Sequence, residues 1–217
     1  MIRSSRTLST RVRPHKLGPR DAGQIMTLEE YESCYEKPGW VAEIIDGVVQ
    51  VSPSPRIVHN RWEAAVHEHL LHSSADHPTV INFVSSDNDV VIPGRPGPTR
   101  PRPDISAYRD FPKLSEIDDD LDWADFCPIL VVEVVSRRRL MKDVRRNRQL
   151  YWLAGGIVEY WILNPRKNAR EPVLIVLSRH AEQPDRVETV VPFGETYVSK
   201  LTPGLRINLK ALLEQNK

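Results

Sequence analysis

Two acidic residues have the type and setting for metal chemistry. Asp104 closes the run Arg102-Pro103-Asp104, just ahead of Ile105-Ser106-Ala107-Tyr108. Glu133 sits inside the apolar, β-branched run Ile129-Leu130-Val131-Val132-Glu133-Val134-Val135. A carboxylate buried unpaired in such a run costs several kcal/mol, so it needs a cation, a proton or a hydrogen-bond network. Two such acids on neighbouring strands could share a hard divalent ion, Mg²⁺ or Mn²⁺, of the kind held by one or two carboxylates with water and substrate phosphate. The plainer alternative has Asp104 capping a turn and Glu133 paired with a nearby arginine. After Glu133 come Arg137, Arg138, Arg139, Lys142, Arg145, Arg146 and Arg148, with Asp143 as the only acid among them. Uncompensated positive charge beside a two-acid site suits a phosphodiester substrate. A solvated helix face is the alternative. Arg95, Arg100, Arg102 and Arg109 could extend the basic surface.

The elements that must position these residues follow from local patterns. Thr27 followed by Glu30 is a capping-box pattern and predicts a short helix to about Lys37, stopped by Pro38-Gly39. Asp46-Gly47 between two β-rich runs predicts a hairpin. Val58, Trp62, Ala65, Val66 and Leu70 recur at helical spacing from Arg56 to about Ser73. Strands are expected at TVINFV, NDVVIP, RPDISAY, ILVVEVV, VEYWILN, VLIVLS and VETVVP, and a helix over residues 140–154 ended by Gly155-Gly156. The proline-rich run PGRPGPTRPRP cannot lie inside a sheet. The result is an α/β domain with an antiparallel finish, over residues 25–217. Residues 1–24 carry Arg3, Arg6, Arg11, Arg13, Lys16 and Arg20 against Asp21 and read as a basic, disordered arm. A transit peptide and a plain tail are both compatible with that composition.

Composition narrows the function classes. The chain has 217 residues, of which 40% are hydrophobic and 27% charged, with a formal net charge of +1. Non-specific coating of duplex DNA calls for a more basic protein, so nucleic-acid contact must come from a local patch. No apolar run approaches the roughly 20 residues of a membrane-spanning helix. Cys34 and Cys127 read as free thiols in a reducing, cytoplasmic setting, which rules out a disulfide scaffold. His67-Glu68-His69-Leu70-Leu71-His72 lacks the i, i+4 histidine pair of a zinc protease and reads as a helix face. Asp118-Asp119-Asp120 lacks the glycine and spacing of a calcium loop. No glycine-rich phosphate loop is present.

The chain also resembles a known family. Met26-Thr27-Leu28-Glu29-Glu30-Tyr31, Glu43-Ile44-Ile45-Asp46-Gly47, His59, Pro103-Asp104, Glu133-Val134-Val135-Ser136 and Glu159-Tyr160-Trp161-Ile162-Leu163 occur in the order and approximate spacing of the Uma2 family. These are bacterial restriction-endonuclease-like proteins of the PD-(D/E)XK nuclease superfamily. The resemblance covers roughly residues 26–213. It implies a restriction-endonuclease-like core, a central mixed β-sheet flanked by helices, and divalent-metal phosphodiester hydrolysis. It casts Asp104 and Glu133 as metal-binding acids and puts Val135 at the third motif position, where only its backbone carbonyl can serve the metal. Glu43 matches the family's earlier acid, either a third carboxylate or a hairpin-edge charge. His59 matches a position that contacts phosphate or simply caps its helix. Tyr151, Tyr160 and Trp161 match as packing aromatics.

One departure stands out. The family's Asp-x-x-x-Lys-x-x-x-Tyr helix pattern reads Asp143, Asn147, Tyr151, so asparagine replaces the expected lysine. Asparagine can hydrogen-bond but adds no charge. Arg146 and Arg148 are candidates to compensate, although each is turned about 100° from Asn147 on an ideal helix. The leading reading is therefore a Mg²⁺- or Mn²⁺-dependent nuclease. Its catalytic residues would be Asp104, Glu133, Glu43 and Asn147, and its metal ligands Asp104, Glu133 and Val135. Its nucleic-acid contacts, most naturally with DNA, would be Arg145, Arg146, Arg148, Arg102 and His59. A catalytically impaired module that binds nucleic acid, and a toxin–antitoxin-like protein whose basic face meets an acidic partner, are the alternatives. The family's sheet edges leave a homodimer open.

Overall fold

The computed structural model describes residues 15–117, 121–136, 145–180, 183–201 and 204–215. Arg137, Arg138, Arg139, Lys142, Asp143, the Asp118–Asp120 run and the first fourteen residues lie outside them. In chain order the elements begin with β1 (Lys16–Leu17), α1 (Leu28–Glu32), β2 (Tyr35–Glu36), β3 (Trp40–Ile45), β4 (Val48–Pro53) and α2 (Ile57–Asp76). There follow β5 (Phe83–Ser86), β6 (Ile105–Tyr108), β7 (Leu130–Val134), α3 (Asn147–Leu153) and β8 (Glu159–Asn164). The chain ends with β9 (Val173–His180), β10 (Gln183–Val191), β11 (Thr196–Val198), β12 (Arg206–Asn208) and α4 (Leu209–Gln215).

Six strands form a central mixed sheet in the order β10-β9-β8-β7-β6-β5. Within this sheet only the β7–β8 pair is parallel, and α3 lies in its crossover. Side chains alternate across a strand, and β7 shows the consequence. Leu130, Val132 and Val134 join Trp62, Val66 and Leu70 of α2 in one core. Val131 and Val135 join Leu150, Tyr151 and Ala154 of α3 in the other. The alternation therefore turns Glu133 toward α3. The β3–β4 hairpin carries a third, smaller core with Leu17 and Tyr31.

Local expectations meet the structure in several places. Thr27 caps α1 in a complete capping box, but α1 ends at Glu32 rather than Lys37. Tyr35–Glu36 instead pairs with β1, with Tyr35 donating to the His15 carbonyl and Lys37 to that of Leu17. Asp46 (φ 54°) and Gly47 (φ 77°) make the two-residue hairpin turn, the left-handed pair that matches strand twist. The NDVVIP segment is not a strand. Val90 donates to Pro101 and Ile92 to Thr99, yet proline has no N–H to return the bond, so no ladder develops. Residues 15–24, assigned from sequence to the arm, belong to the folded unit. Leu17 is buried, and Asp21 accepts from the Gly18 N–H at 2.8 Å and pairs with His15 at 2.7 Å. Burial of a leucine and of a satisfied carboxylate outweighs the segment's basic composition.

Candidate active site

The site grows from the end of the β6–β7 pair. Ile105 faces Val132 in antiparallel register, which brings the residue before β6, Asp104, to the end of β7. The Val134 N–H donates to Asp104 Oδ2 at 2.6 Å. The same oxygen lies 3.0 Å from His59 Nε2, in the first turn of α2, and His59 Nδ1 lies 3.5 Å from Oε2 of Glu63 one turn on. Both imidazole nitrogens thus face carboxylates. Burial pushes the ring's pKa down, but Asp104 and Glu63 more than offset this and hold it up at about 10. Among the described residues, His59, Glu63 and Asp104 are the one His/Cys/Asp/Glu group of three whose ligand atoms all lie within 4.8 Å.

Glu133 occupies the α3 side of β7 and is 2% exposed. Its Oε1 accepts from Asn147 Nδ2 at 2.7 Å and from the Tyr151 hydroxyl at 3.1 Å. Residues i and i+4 share a helix face, so the spacing of Asn147 and Tyr151 delivers both donors to one oxygen. Burial, and next the negative charge of Glu133, push the Tyr151 hydroxyl pKa well above its ordinary value. The hydroxyl is therefore a permanent donor.

Asn147 also accepts. Arg146 Nε donates to its Oδ1 at 2.9 Å, and Arg146 Nη2 reaches Glu43 Oε2 at 2.9 Å. The other Glu43 oxygen accepts from the Arg102 N–H at 2.9 Å. Glu133, Asn147, Arg146 and Glu43 thus form one continuous chain of contacts. Burial lowers the Arg146 pKa, but Glu43 more than offsets it and the guanidinium stays charged. The expectation that Arg146 turns away from Asn147 is corrected. Residues 145–146 are wound as a π-turn ahead of α3, and the long side chain folds back over its neighbour.

The remaining predicted residues are placed differently. Arg148 Nη1 pairs with Glu188 of β10 at 2.7 Å. The Arg102 side chain is held by Asp89 at 3.0 Å and Glu36 at 2.9 Å. Arg145 is exposed. Of the cations expected to extend this surface, Arg100 pairs with Glu32 and Arg95 with Asp46. The described part of the basic cluster is therefore largely compensated, by acids far away in sequence. Val135 donates its N–H to the Leu163 carbonyl at 2.8 Å and is buried. Tyr160 and Trp161 are core residues, on opposite faces of β8. Glu63 escaped sequence reasoning, although its i, i+4 spacing from His59 was a usable signal. Glu159, which opens the family-matching run with no role assigned to it there, is fully buried and takes hydrogen bonds from Trp161, Tyr197, Ser199 and the Lys200 N–H. It is a structural acid.

A cleft of about 380 Å³ opens beside this site, with His59, Val135 and Ser136 in its wall. Among the described residues, no helix is long and apolar enough to cross a membrane.

No curated protein matches the chain. A solved crystal structure, described as "a putative nuclease belonging to DUF820 from Anabaena variabilis", is similar to it with a TM-score of 0.63 at 16% identity. The match covers 87% of this chain and 98% of that one. At that identity the likeness carries the fold alone, a nuclease-fold sheet with few helices. The family model for Uma2, described as "Putative restriction endonuclease", matches residues 28–210. With the greater part of its length matched, the chain belongs to the Uma2 family.

Proposed function

We propose that the protein is a divalent-metal-dependent nuclease that hydrolyses phosphodiester bonds in nucleic acid, DNA being the first substrate to test. The observation that carries this reading is the β6–β7 register, which brings Asp104 beside the end of the strand that carries Glu133. Asp104 is bound to the Val134 N–H, directly after Glu133. The donor set suits a hard ion. Asp104 Oδ1 makes no hydrogen bond to a described residue, and His59 and Glu63 stand beside it. Asp104, Glu133 and the Val135 carbonyl would hold Mg²⁺ or Mn²⁺, with Glu63 as a further oxygen donor. When bound, the ion would neutralise charge on the phosphate and acidify a water.

The chain's own residues do the rest. Asn147 and Tyr151 hold the Glu133 carboxylate in one orientation. His59 does the same for Asp104 from α2. Arg146, clamped by Glu43, brings a fixed positive charge to the neighbourhood where the family pattern has lysine. Such a donor aimed at developing charge is worth ~10²–10³ in rate. Arg145 adds an exposed cation for the nucleic-acid backbone.

The test is cleavage of labelled single-stranded and duplex DNA, and of RNA, with Mg²⁺, Mn²⁺ or chelator, by wild type and Glu133→Gln. Metal-dependent cutting that disappears in a still-folded Glu133→Gln protein supports the reading. Absence of cutting under every condition would overturn it in favour of the second: the same fold, catalytically impaired, gripping nucleic acid or an acidic protein. Asn147 in the lysine position favours that second reading. So does the internal satisfaction of Glu43 and Glu133 by Arg146, Asn147 and Tyr151.

A further inference from the structure

The cleft beside the acids has a composition of its own. Its walls are the β4–α2 turn and the loop between β8 and β9, and it holds about 380 Å³. That is the size of a small-molecule pocket, which runs to roughly 300–1,000 Å³. That volume is on the scale of one nucleotide-sized group. Pro55, Val58 and Pro165 offer apolar surface, and Arg56, Arg166 and Lys167 supply positive charge.

Unlike Arg102, Arg146 and Arg148, these three cations make no ion pair with any described residue. All three are exposed. Beside Arg56 the first turn of α2 contains no acid, and Arg56, its N-cap, makes no side-chain capping bond. The loop that carries Arg166 and Lys167 is anchored. Trp62 Nε1 of α2 donates to the Ala169 carbonyl at 2.9 Å, and Asn164 Oδ1 accepts from the Arg166 N–H at 3.2 Å. His59 and Val135 belong to the same wall, so whatever fills the cleft meets the imidazole that pairs with Asp104 and the residue two places after Glu133.

We infer that this cleft is the subsite for one unpaired nucleotide next to the scissile phosphate, and that the substrate is a single strand or a frayed duplex end. The base lies against Pro55, Val58 and Pro165, and Arg56, Arg166 and Lys167 take the flanking phosphates. Single strands are gripped without sequence readout by backbone charge together with stacking surfaces, usually aromatic; here Pro55, Val58 and Pro165 would serve as that surface. The inference rests on the nuclease reading for the identity of the site, and on the cleft for the kind of strand.

The experiment uses the full chain in chelator, so that binding is read without cleavage. Fluorescence anisotropy is followed for a labelled oligothymidylate and for a blunt duplex of equal length, across a salt series. Wild type binds the single strand more tightly than the duplex. Arg166→Gln/Lys167→Gln weakens single-strand binding by about tenfold or more and flattens its salt dependence by roughly one to one and a half units, as expected for two lost phosphate contacts. Arg56→Gln has a smaller effect in the same direction. Lys210→Gln on α4, exposed and outside the cleft, does not. These side chains are on the surface, so unchanged melting curves establish that folding is intact. Equal or tighter duplex binding, or a double variant that binds like wild type, overturns the inference, as does absence of single-strand binding at low salt. Cleavage assays with Mn²⁺ separate the two ideas. Single-strand binding through Arg166 and Lys167 without cutting sinks the nuclease and keeps the subsite. Cutting that the double variant leaves untouched sinks the subsite and keeps the nuclease.

Discussion

Replacing Arg146 by glutamine should be far more damaging than the same change at Arg148, although the two residues sit on either side of Asn147 in one basic cluster. Arg146 meets Glu43 at 2.9 Å, with side-chain exposures of 25% and 2%. Without the guanidinium, Glu43 keeps the Arg102 N–H but loses the Arg146 charge, and Asn147 Oδ1 loses its Arg146 donor. Removing one partner of a buried pair costs about 3–5 kcal/mol, and partial water access to Arg146 puts the expected loss near the lower end. For a domain of this size, 3 kcal/mol corresponds to a drop in Tm of roughly 6–12 °C. Arg148 pairs instead with a Glu188 side chain that is 43% exposed, and such surface pairs contribute about 0–1 kcal/mol. The assay is urea and thermal unfolding of Arg146→Gln, Arg148→Gln, Glu43→Gln and the Glu43→Gln/Arg146→Gln double variant. The cycle should return a coupling of about 2 kcal/mol or more between Glu43 and Arg146, within the range for contacting residues. Equal losses for the two arginine variants, or additivity of Glu43→Gln and Arg146→Gln within about 0.5 kcal/mol, would refute the reasoning.

Three further outcomes follow from the same contacts. Tyr151→Phe removes a donor to Glu133 Oε1 and should cost about 1.5–3 kcal/mol in unfolding experiments; a loss below 0.5 would show that the hydroxyl bond carries nothing. Asn147→Asp sets a second carboxylate where the amide now meets Glu133 at 2.7 Å, so stability should fall at neutral pH and recover on acidification as the pair takes up a proton; a pH-independent deficit would contradict this. His59 carries a folded-state pKa raised to about 10 from 6.5. In chelator, its stabilisation should therefore be complete below about pH 6.5, decline as pH rises and be gone above about 10, and a His59→Gln protein should lack that alkaline slope in its Tm.

The sequence alone determined what depends on short-range periodicity. Asp46-Gly47 specifies its hairpin because both turn residues need positive φ, and Thr27 with Glu30 specifies the start of α1. The strict alternation from Leu130 to Val135 obliges Glu133 to face away from Val132 and Val134. The four-residue step from Asn147 to Tyr151 obliges both to point the same way. What they point at was decided only by tertiary structure. The basic run after Glu133 reads as uncompensated because its acids are distant, Arg146 meeting Glu43 across 103 residues and Arg148 meeting Glu188 across 40. Electrostatic pairing acts through space and long arginine side chains choose among several partners, so no local pattern reveals which cations are spent. The same reason left the free charge where no motif marked it, on Arg56, Arg166 and Lys167. Residues 15–24 show the limit from the other side. Their composition is that of a tail, and it is the sheet partner offered by Tyr35–Glu36, together with an apolar place for Leu17, that makes them part of the fold.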